Sequence, residues 1–381
     1  EPKYPPKSVS RFSISGKLIS ESRFEKSCER VVSLTISSCF FEDGGLGFLK
    51  AFPALEILII KNPKNLLGIQ EISQLHMLEE LSIENSDLAT LDGLEFCSNI
   101  KVLRLHKLGV SDLSVLEGMG IEKLDISYSP INDLPNELPF LWDLGVSDCQ
   151  KLRRIPYYSS VTSLLCESLK IRSLRQYSGS QLTHLEISET RLRRIPDLPH
   201  AKSIVASKSR ITSLLPYDPD FQSKVRVLDV RGNKLTSLDG LENYPDLKDF
   251  DAMDNKICDI SSLSKRRPSD IIIRLRLSRN RITKIPLLRM DLASLRTYGH
   301  CRMEWSFSNN LIEDIRPLVP IFGKEHEEDD DRQLLLDNNP LSLRSLFILS
   351  ENKKMGAYFQ ISEKDMKRVK RCREERTFEE D

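Results

Sequence analysis

No apolar run in this 381-residue chain approaches the roughly 20 residues a bilayer-spanning helix needs, so no transmembrane helix is expected. The sequence also lacks any C-x-x-C pair and any clustered Cys/His spacing, which excludes the common zinc frameworks. Its eight cysteines are scattered at 28, 39, 97, 149, 166, 258, 301 and 372, a pattern that suits reduced thiols in an intracellular protein, cytoplasmic or nuclear. Excess charge is missing as well. Lys+Arg and Asp+Glu are both 56, so binding to nucleic acid through overall charge is not expected. The opening EPKYPPKSVSRF does not read as a signal peptide. There is no Gly-rich phosphate loop followed by Lys, and DGGLG at 43–47 reads as a turn. Six histidines are dispersed without metal-ligand spacing. These absences leave no cofactor, no metal and no catalytic constellation to predict, and the chain reads as a non-enzyme.

A composition that is 39% hydrophobic and 29% charged supports a large folded core. The stretch VRVLDVRGNKLTSLDGLENYPD, residues 225–246, shows how that core is organised. Val225, Leu228 and Val230 begin a short strand, with Leu228 and Val230 on one face. Asn233 sits where the strand should end, and Leu235, Leu238 and Leu241 follow at gaps that fit neither helix nor strand. The pattern recurs. LEELSIENSDLATLDGLE from Leu78, IKVLRLHKLGVSDLSVLE from Ile100, LTHLEISETRLRRIP from Leu182 and IIRLRLSRNRITKIP from Ile272 all align on L-x-x-L-x-L-x-x-N/C-x-L. Fifteen such units can be counted, with starts mostly 19–25 residues apart and weaker copies at Val9, Val31, Leu55, Arg302 and Asp331.

The motif identifies a resemblance to leucine-rich repeat proteins that covers nearly the whole chain. It implies an α/β solenoid with a curved parallel β-sheet on its concave face and mostly irregular, 3-10 or extended returning arms. In that frame Leu228 and Val230 point inward, Asn233 turns the chain with its amide bonded along the stack, and Leu235 and Leu238 close over the same core. Cys39, Cys149, Thr190 and Ser209 replace Asn at the equivalent position, and the two cysteines read as buried structural residues. LTSLDGLENYPDL and LATLDGLEFCSNI resemble repeats of intracellular phosphatase regulators and spindle-pole scaffolds. INDLPNELPFL is similar to repeats of bacterial effectors, and SDCQKLRRIP to those of plant immune receptors. The prolines at 135/139 and 196/199 predict extended arms.

Residues 1–30 read as an N-terminal cap and irregular first repeat, 31–350 as the array, and 351–381 as a C-terminal cap with a basic helical tail. Ser362 and Asp365 have capping-box-like spacing at the start of that tail. Insertions are expected at 287–301 and around GKEHEEDDDR at 323–332, the latter as a solvated acidic loop. No stretch outside the array is left for a separate catalytic domain of the kind that bacterial effector ligases carry.

Function is therefore sought on the surface. The resemblance places Arg104, Asp125, Tyr128, Trp142, Asp148, Glu167, Glu186, Asp229, Asp251 and Arg276 on the concave face, an acidic centre with basic shoulders. Tyr128 and Trp142, in adjacent repeats, are the candidate aromatic anchors. Arg153, Arg154, Arg172, Arg193, Arg194 and Arg210 are expected to gather into a basic strip along the returning arms. That strip is either a solvated edge or a second site for an acidic or phosphorylated segment. The expected role is a protein-binding scaffold or regulatory subunit whose partner is a protein, such as a phosphatase or a signalling or cytoskeletal complex. A ligand-sensing domain of an immune receptor or effector is the alternative.

Overall fold

The computed structural model describes residues 10–24, 27–291, 303–322, 332–351 and 359–375. The repeat starts at Val9, Arg302 and Asp331, residues 292–301 of the first insertion, and the acidic run at 323–331 lie outside the described residues. The chain packs as two compact units, residues 1–176 and 177–381. That division falls inside the expected array, at a point that no change in repeat spacing marks.

In unit 1 the repeats contribute eight parallel strands. They are β1 (Arg11–Ser15), β3 (Ser33–Ser37), β5 (Ile57–Lys61), β6 (Glu80–Ser86), β7 (Val102–Leu108), β8 (Lys123–Ser127), β9 (Asp143–Ser147) and β10 (Ser163–Glu167), paired in that order. Two short strands, β2 (Leu18–Ile19) and β4 (Phe40–Phe41), pair separately. Strand alternation sends one row inward. Leu34, Leu58, Leu81, Leu103, Leu124, Leu144 and Leu164 occupy matching registers and are all buried. Each such leucine contributes about 1.5–3 kcal/mol of burial, realised only because a neighbouring repeat covers it. At the N-terminal end Phe24, Phe48 and Phe52 meet in tilted and edge-to-face contacts and close the core.

Unit 2 repeats the plan with β11 (His184–Glu186), β12 (Ser203–Val205), β13 (Val227–Asp229), β14 (Asp249–Asp251), β15 (Arg274–Arg276), β16 (Met303–Ser306), β17 (Arg332–Leu335) and β18 (Phe359–Gln360). β18 falls beyond residue 350, so the ladder continues into the segment expected to be only a cap. The helix Glu363–Glu375 follows and packs on the helix Leu343–Glu351. Its capping residue is Ser362, whose Oγ accepts from Asp365 N–H at 3.2 Å and donates to the Asp365 carboxylate at 2.7 Å. Arg368 ties this first turn to the Leu341 carbonyl and to Asp365. The basic tail is thus docked by Asp365 and Val369, both buried, while Lys364, Lys367 and Lys370 face solvent.

The turn after each strand is the device that holds the repeats in register. Asn233, Asn255, Asn280, Asn310 and Asn339 are each buried, and each side-chain amide donates to carbonyls of its own repeat and of the one before. Successive amides share carbonyls: Ala252 O accepts from Asn255 and Asn280, and Leu277 O from Asn280 and Asn310. Each Oδ1 accepts a backbone N–H of the preceding repeat, as Asn280 does from Ile257 at 3.0 Å. Thr190 and Ser209 substitute with hydroxyls 2.9 Å apart, and Cys39 and Cys149 with thiols 3.4–3.8 Å from carbonyls. Just before this position the backbone is left-handed in repeat after repeat, including Asn85, Lys107, Tyr128 and Asp148 in unit 1 and Lys208, Asp254 and Arg279 in unit 2.

The returning arms are short 3-10 turns or extended chain. Gly47–Ala51, Gln70–Gln74 and Leu94–Phe96 are 3-10, whereas 130–142 and 188–202, with their paired prolines, contain no helix. The two LDGLE arms explain their glycines. Gly93 and Gly240 have φ of +101° and +97°, and an added Cβ would meet the backbone of Gln70 or Leu214 at 2.6–2.7 Å. Glu95 and Glu242 then accept the glycine N–H groups.

Candidate protein-interaction surfaces

In unit 1 the outward face of the ladder is built from residues that alternate with the buried leucines. Arg104 stands beside Asp125, Asp125 beside Gly145, and Gly145 beside Leu165. Gly145 has no side chain in this row, and the Asp125 carboxylate takes up the space, since an added Cβ would lie 3.3 Å from Asp125 Oδ1. Arg104 pairs with Glu80. The partial burial of the Asp125 carboxyl between strands raises its pKa, against the opposing pull of Arg104 and His106.

Tyr128 follows β8 with φ of +52°, a conformation the repeat turn imposes at this position. It is 56% exposed and stacks edge-on against His106, with ring centroids 5.2 Å apart. His106 Nδ1 is in turn 2.6 Å from Ser127 Oγ. Hydrogen bonding to Asp148 pushes the Tyr128 hydroxyl pKa up. Glu167 lies half-buried at the end of β10. Trp142 is 37% exposed, with Lys123 Nζ 4.2 Å from its ring centroid. Register pairs Lys123 with Asp143 and Ser127 with Ser147, so Trp142 precedes one strand while Tyr128 follows its neighbour. The two aromatics, in adjacent repeats as expected, are therefore roughly 15–20 Å apart along the strands.

In unit 2 the expected acidic centre is internally paired. Asp229 and Asp251 are each 7% exposed, crowded by adjacent strands although both alternate outward. Asp229 pairs with Arg231 at 2.5 Å, and Asp251 accepts the Met253 N–H. Arg276 lies 3.1 Å from Asp249, 3.9 Å from Asp251 and 3.8 Å from Glu304, while Arg274 also reaches Asp249. Burial, then the neighbouring Asp229, raises the Asp251 pKa. Glu186 is half-buried two strands from Asp229, with Val205 between them. These charges neutralise one another and leave little unpaired acidity for a partner.

The six arginines of the expected strip are placed differently from the expectation. In unit 1, Arg153 donates to the Gln150 carbonyl, Arg154 pairs with Asp133 at 3.3 Å, and Arg172 is exposed. In unit 2, Arg194 covers the Tyr217 ring at 4.8 Å and Arg193 is exposed. Arg210 is not their neighbour in register. Thr212 N–H bonds Arg193 O and Ser213 bridges Arg194, so Arg210 aligns with Arg191 instead. Arg210 is one residue past its turn position, Ser209, whereas Arg193 is three past Thr190.

Gly145, Glu80 and Lys123 were not singled out by sequence reasoning. The glycine had a legible signal, an outward strand position without a side chain in LWDLGVSD. Among the described residues no group of three or more His, Cys, Asp or Glu is arranged to hold a metal. No helix among them is long and apolar enough to cross a membrane.

Comparison with solved structures finds the same architecture across the chain. A leucine-rich repeat protein of Leptospira interrogans superposes with a TM-score of 0.68 at 17% identity, covering 94% of this chain and 93% of that one. The chain has the leucine-rich repeat fold. An internalin of Listeria monocytogenes shares the repeat fold with a TM-score of 0.54 at 16% identity over 91% of this chain and 89% of its own. The leucine-rich repeats of FLRT2, solved in an octameric complex with latrophilin 3 and Unc5D, match 70% of this repeat protein and 84% of that chain, with a TM-score of 0.51 at 19% identity. In sequence, an uncharacterised leucine-rich repeat-containing protein of Schizosaccharomyces pombe is 33% identical over 110 residues, 27% of this chain and 18% of that protein. Toll-like receptor 2 type-1 of Gallus gallus is 28% identical over 135 residues, 34% and 17% of the two chains. The repeat protein therefore spans less than a fifth of either curated relative. No family model matches.

Proposed function

We propose that this repeat protein is a non-catalytic binding scaffold or regulatory subunit that holds a protein partner on the outward ladder face of unit 1. The observation that carries this reading is Tyr128. It is an aromatic side chain held out into solvent by an imposed left-handed turn at the end of β8, braced by His106 and Asp148. A rigid, exposed aromatic is the kind of group that dominates interface energetics. The FLRT2 repeats, solved within a multi-protein complex, support the class of activity. Free cysteines, with Cys28, Cys39, Cys97, Cys149 and Cys166 buried, support a reducing, intracellular location. A phosphatase or another signalling or cytoskeletal assembly fits as the partner. The local match to a toll-like receptor favours ligand sensing as the second reading.

The test is quantitative affinity purification with wild type, Tyr128→Ala and Trp142→Ala. Tyr128→Ala should weaken the main protein partner by about 2 kcal/mol or more, with melting unchanged. Trp142→Ala should act independently, because the two side chains share no contact. A partner retained at full strength by Tyr128→Ala rules out this face.

A further inference from the structure

Unit 2 carries a second ordered surface that the neutral overall composition conceals. In each repeat the residue directly after the Asn-ladder position turns outward. Between residues 191 and 281 that position is held in turn by Arg191, Arg210, Lys234, Lys256 and Arg281, five cations in five consecutive repeats. The backbone fixes their alignment. Arg210 N–H donates to Leu192 O, Lys234 to Ile211 O, Lys256 to Leu235 O and Arg281 to Ile257 O, at 2.8–3.1 Å. Each cation therefore stands one ladder step from the last. The column ends at Leu311, which occupies the next step and donates to Ile282 O.

All but the half-buried Arg191 are exposed. None of the five has an ion-pair partner among the described residues, and the acids beside the column are already committed. Glu189 pairs with Lys208 at 3.1 Å, and Asp254 with Arg279 at 3.6 Å. The row on the other side adds Arg193 and otherwise presents Thr212, Thr236 and Cys258, all exposed.

We propose that this column docks an extended, Asp/Glu-rich segment of a partner protein. Ladder steps of about 4.8 Å give a row about 19 Å long, the length of roughly six residues of extended chain. Neighbouring cations are closer than the Debye length of about 8 Å at physiological salt, so they present one continuous positive field. Carboxylates spaced along a single strand answer that geometry, and Lys and Arg side chains are long enough to absorb the difference in pitch. Single-stranded nucleic acid fits less well, because the flanking row offers Thr and Cys where base stacking requires aromatic platforms. The site lies on different residues from the Tyr128 face and stands or falls separately from it.

The probe is a fluorescein-labelled Glu/Asp dodecapeptide, read by anisotropy on the full chain. Wild type should bind it, and binding should weaken steeply between about 50 and 200 mM salt. The triple variant Lys234→Glu, Lys256→Glu, Arg281→Glu should lose at least about tenfold in affinity, with thermal melting recorded alongside. Amine acetylation of the wild-type chain provides a second measurement that needs no variant. The peptide should protect Lys234 and Lys256 and leave the exposed Lys202 and Lys224 reactive. Absence of wild-type binding, equal affinity in the triple variant, or unprotected Lys234 and Lys256 each overturns the proposal. So does displacement of the peptide by an oligouridylate of equal charge that protects the same lysines more strongly.

Discussion

Replacing Asn280 with Ala removes one rung from the amide ladder, and the structure sets the size of the effect. Asn280 Nδ2 donates to Ala252 O and Leu277 O, both at 3.0 Å, and to Ser278 O at 3.3 Å, while its Oδ1 accepts Ile257 N–H at 3.0 Å. The carbonyls are not all orphaned, because Asn255 still reaches Ala252 O and Asn310 still reaches Leu277 O. Ile257 N–H loses its side-chain acceptor in a buried turn, at a cost of about 1–3 kcal/mol, and the remaining bonds lose about 1 kcal/mol net between them. The sum is about 2–4 kcal/mol, a large part of a typical margin of about 5–15 kcal/mol. Urea unfolding should report this loss, and native-state amide exchange should show Ile257 among the most deprotected sites. Damage should stay close to the substituted repeat, since repeats contact mainly their neighbours. Asn280→Cys should fall between wild type and Asn280→Ala, because thiols at Cys39 and Cys149 donate to carbonyls at the equivalent place. A loss below about 1 kcal/mol, or an Ile257 amide as protected as before, would refute the claim that the ladder holds the register.

Other perturbations test different layers of the fold. Leu228→Ala removes a fully buried side chain lying between Ile204 and Phe250 in register, and should cost about 2–5 kcal/mol in unfolding experiments. Burial raises the Asp251 pKa, so the folded chain binds that proton more readily than the unfolded chain, and stability contributed at low pH is lost as pH rises through the folded value. Asp251→Asn should therefore gain stability over wild type at neutral pH, with the difference shrinking towards about pH 4 in paired denaturation curves. Burial pushes the Cys97 and Cys149 thiols up to about 11, whereas Cys258 is exposed, so a thiol reagent at mildly alkaline pH should modify Cys258 long before either of the others. Mass spectrometry of the labelled peptides checks the order.

The repeat, its buried leucines and its Asn turn were legible in the sequence because they are local and recur in phase. Leu228, Val230 and Asn233 occupy the roles their spacing implied, and the paired prolines lie in extended arms. What a one-dimensional pattern could not supply was register across strands. It alone places Tyr128 and Trp142 at opposite ends of neighbouring strands, and it aligns Arg210 with Arg191 rather than Arg193. The sequence also could not reveal that Asp229 and Asp251 are crowded and paired. That depends on how adjacent strands crowd both carboxylates and, for Asp251, on Arg276 of the next repeat coming within reach. Side-chain type and periodicity thus determined which residues face inward. Only the stacking of repeats decided which outward residues meet, which are neutralised, and which remain free to bind.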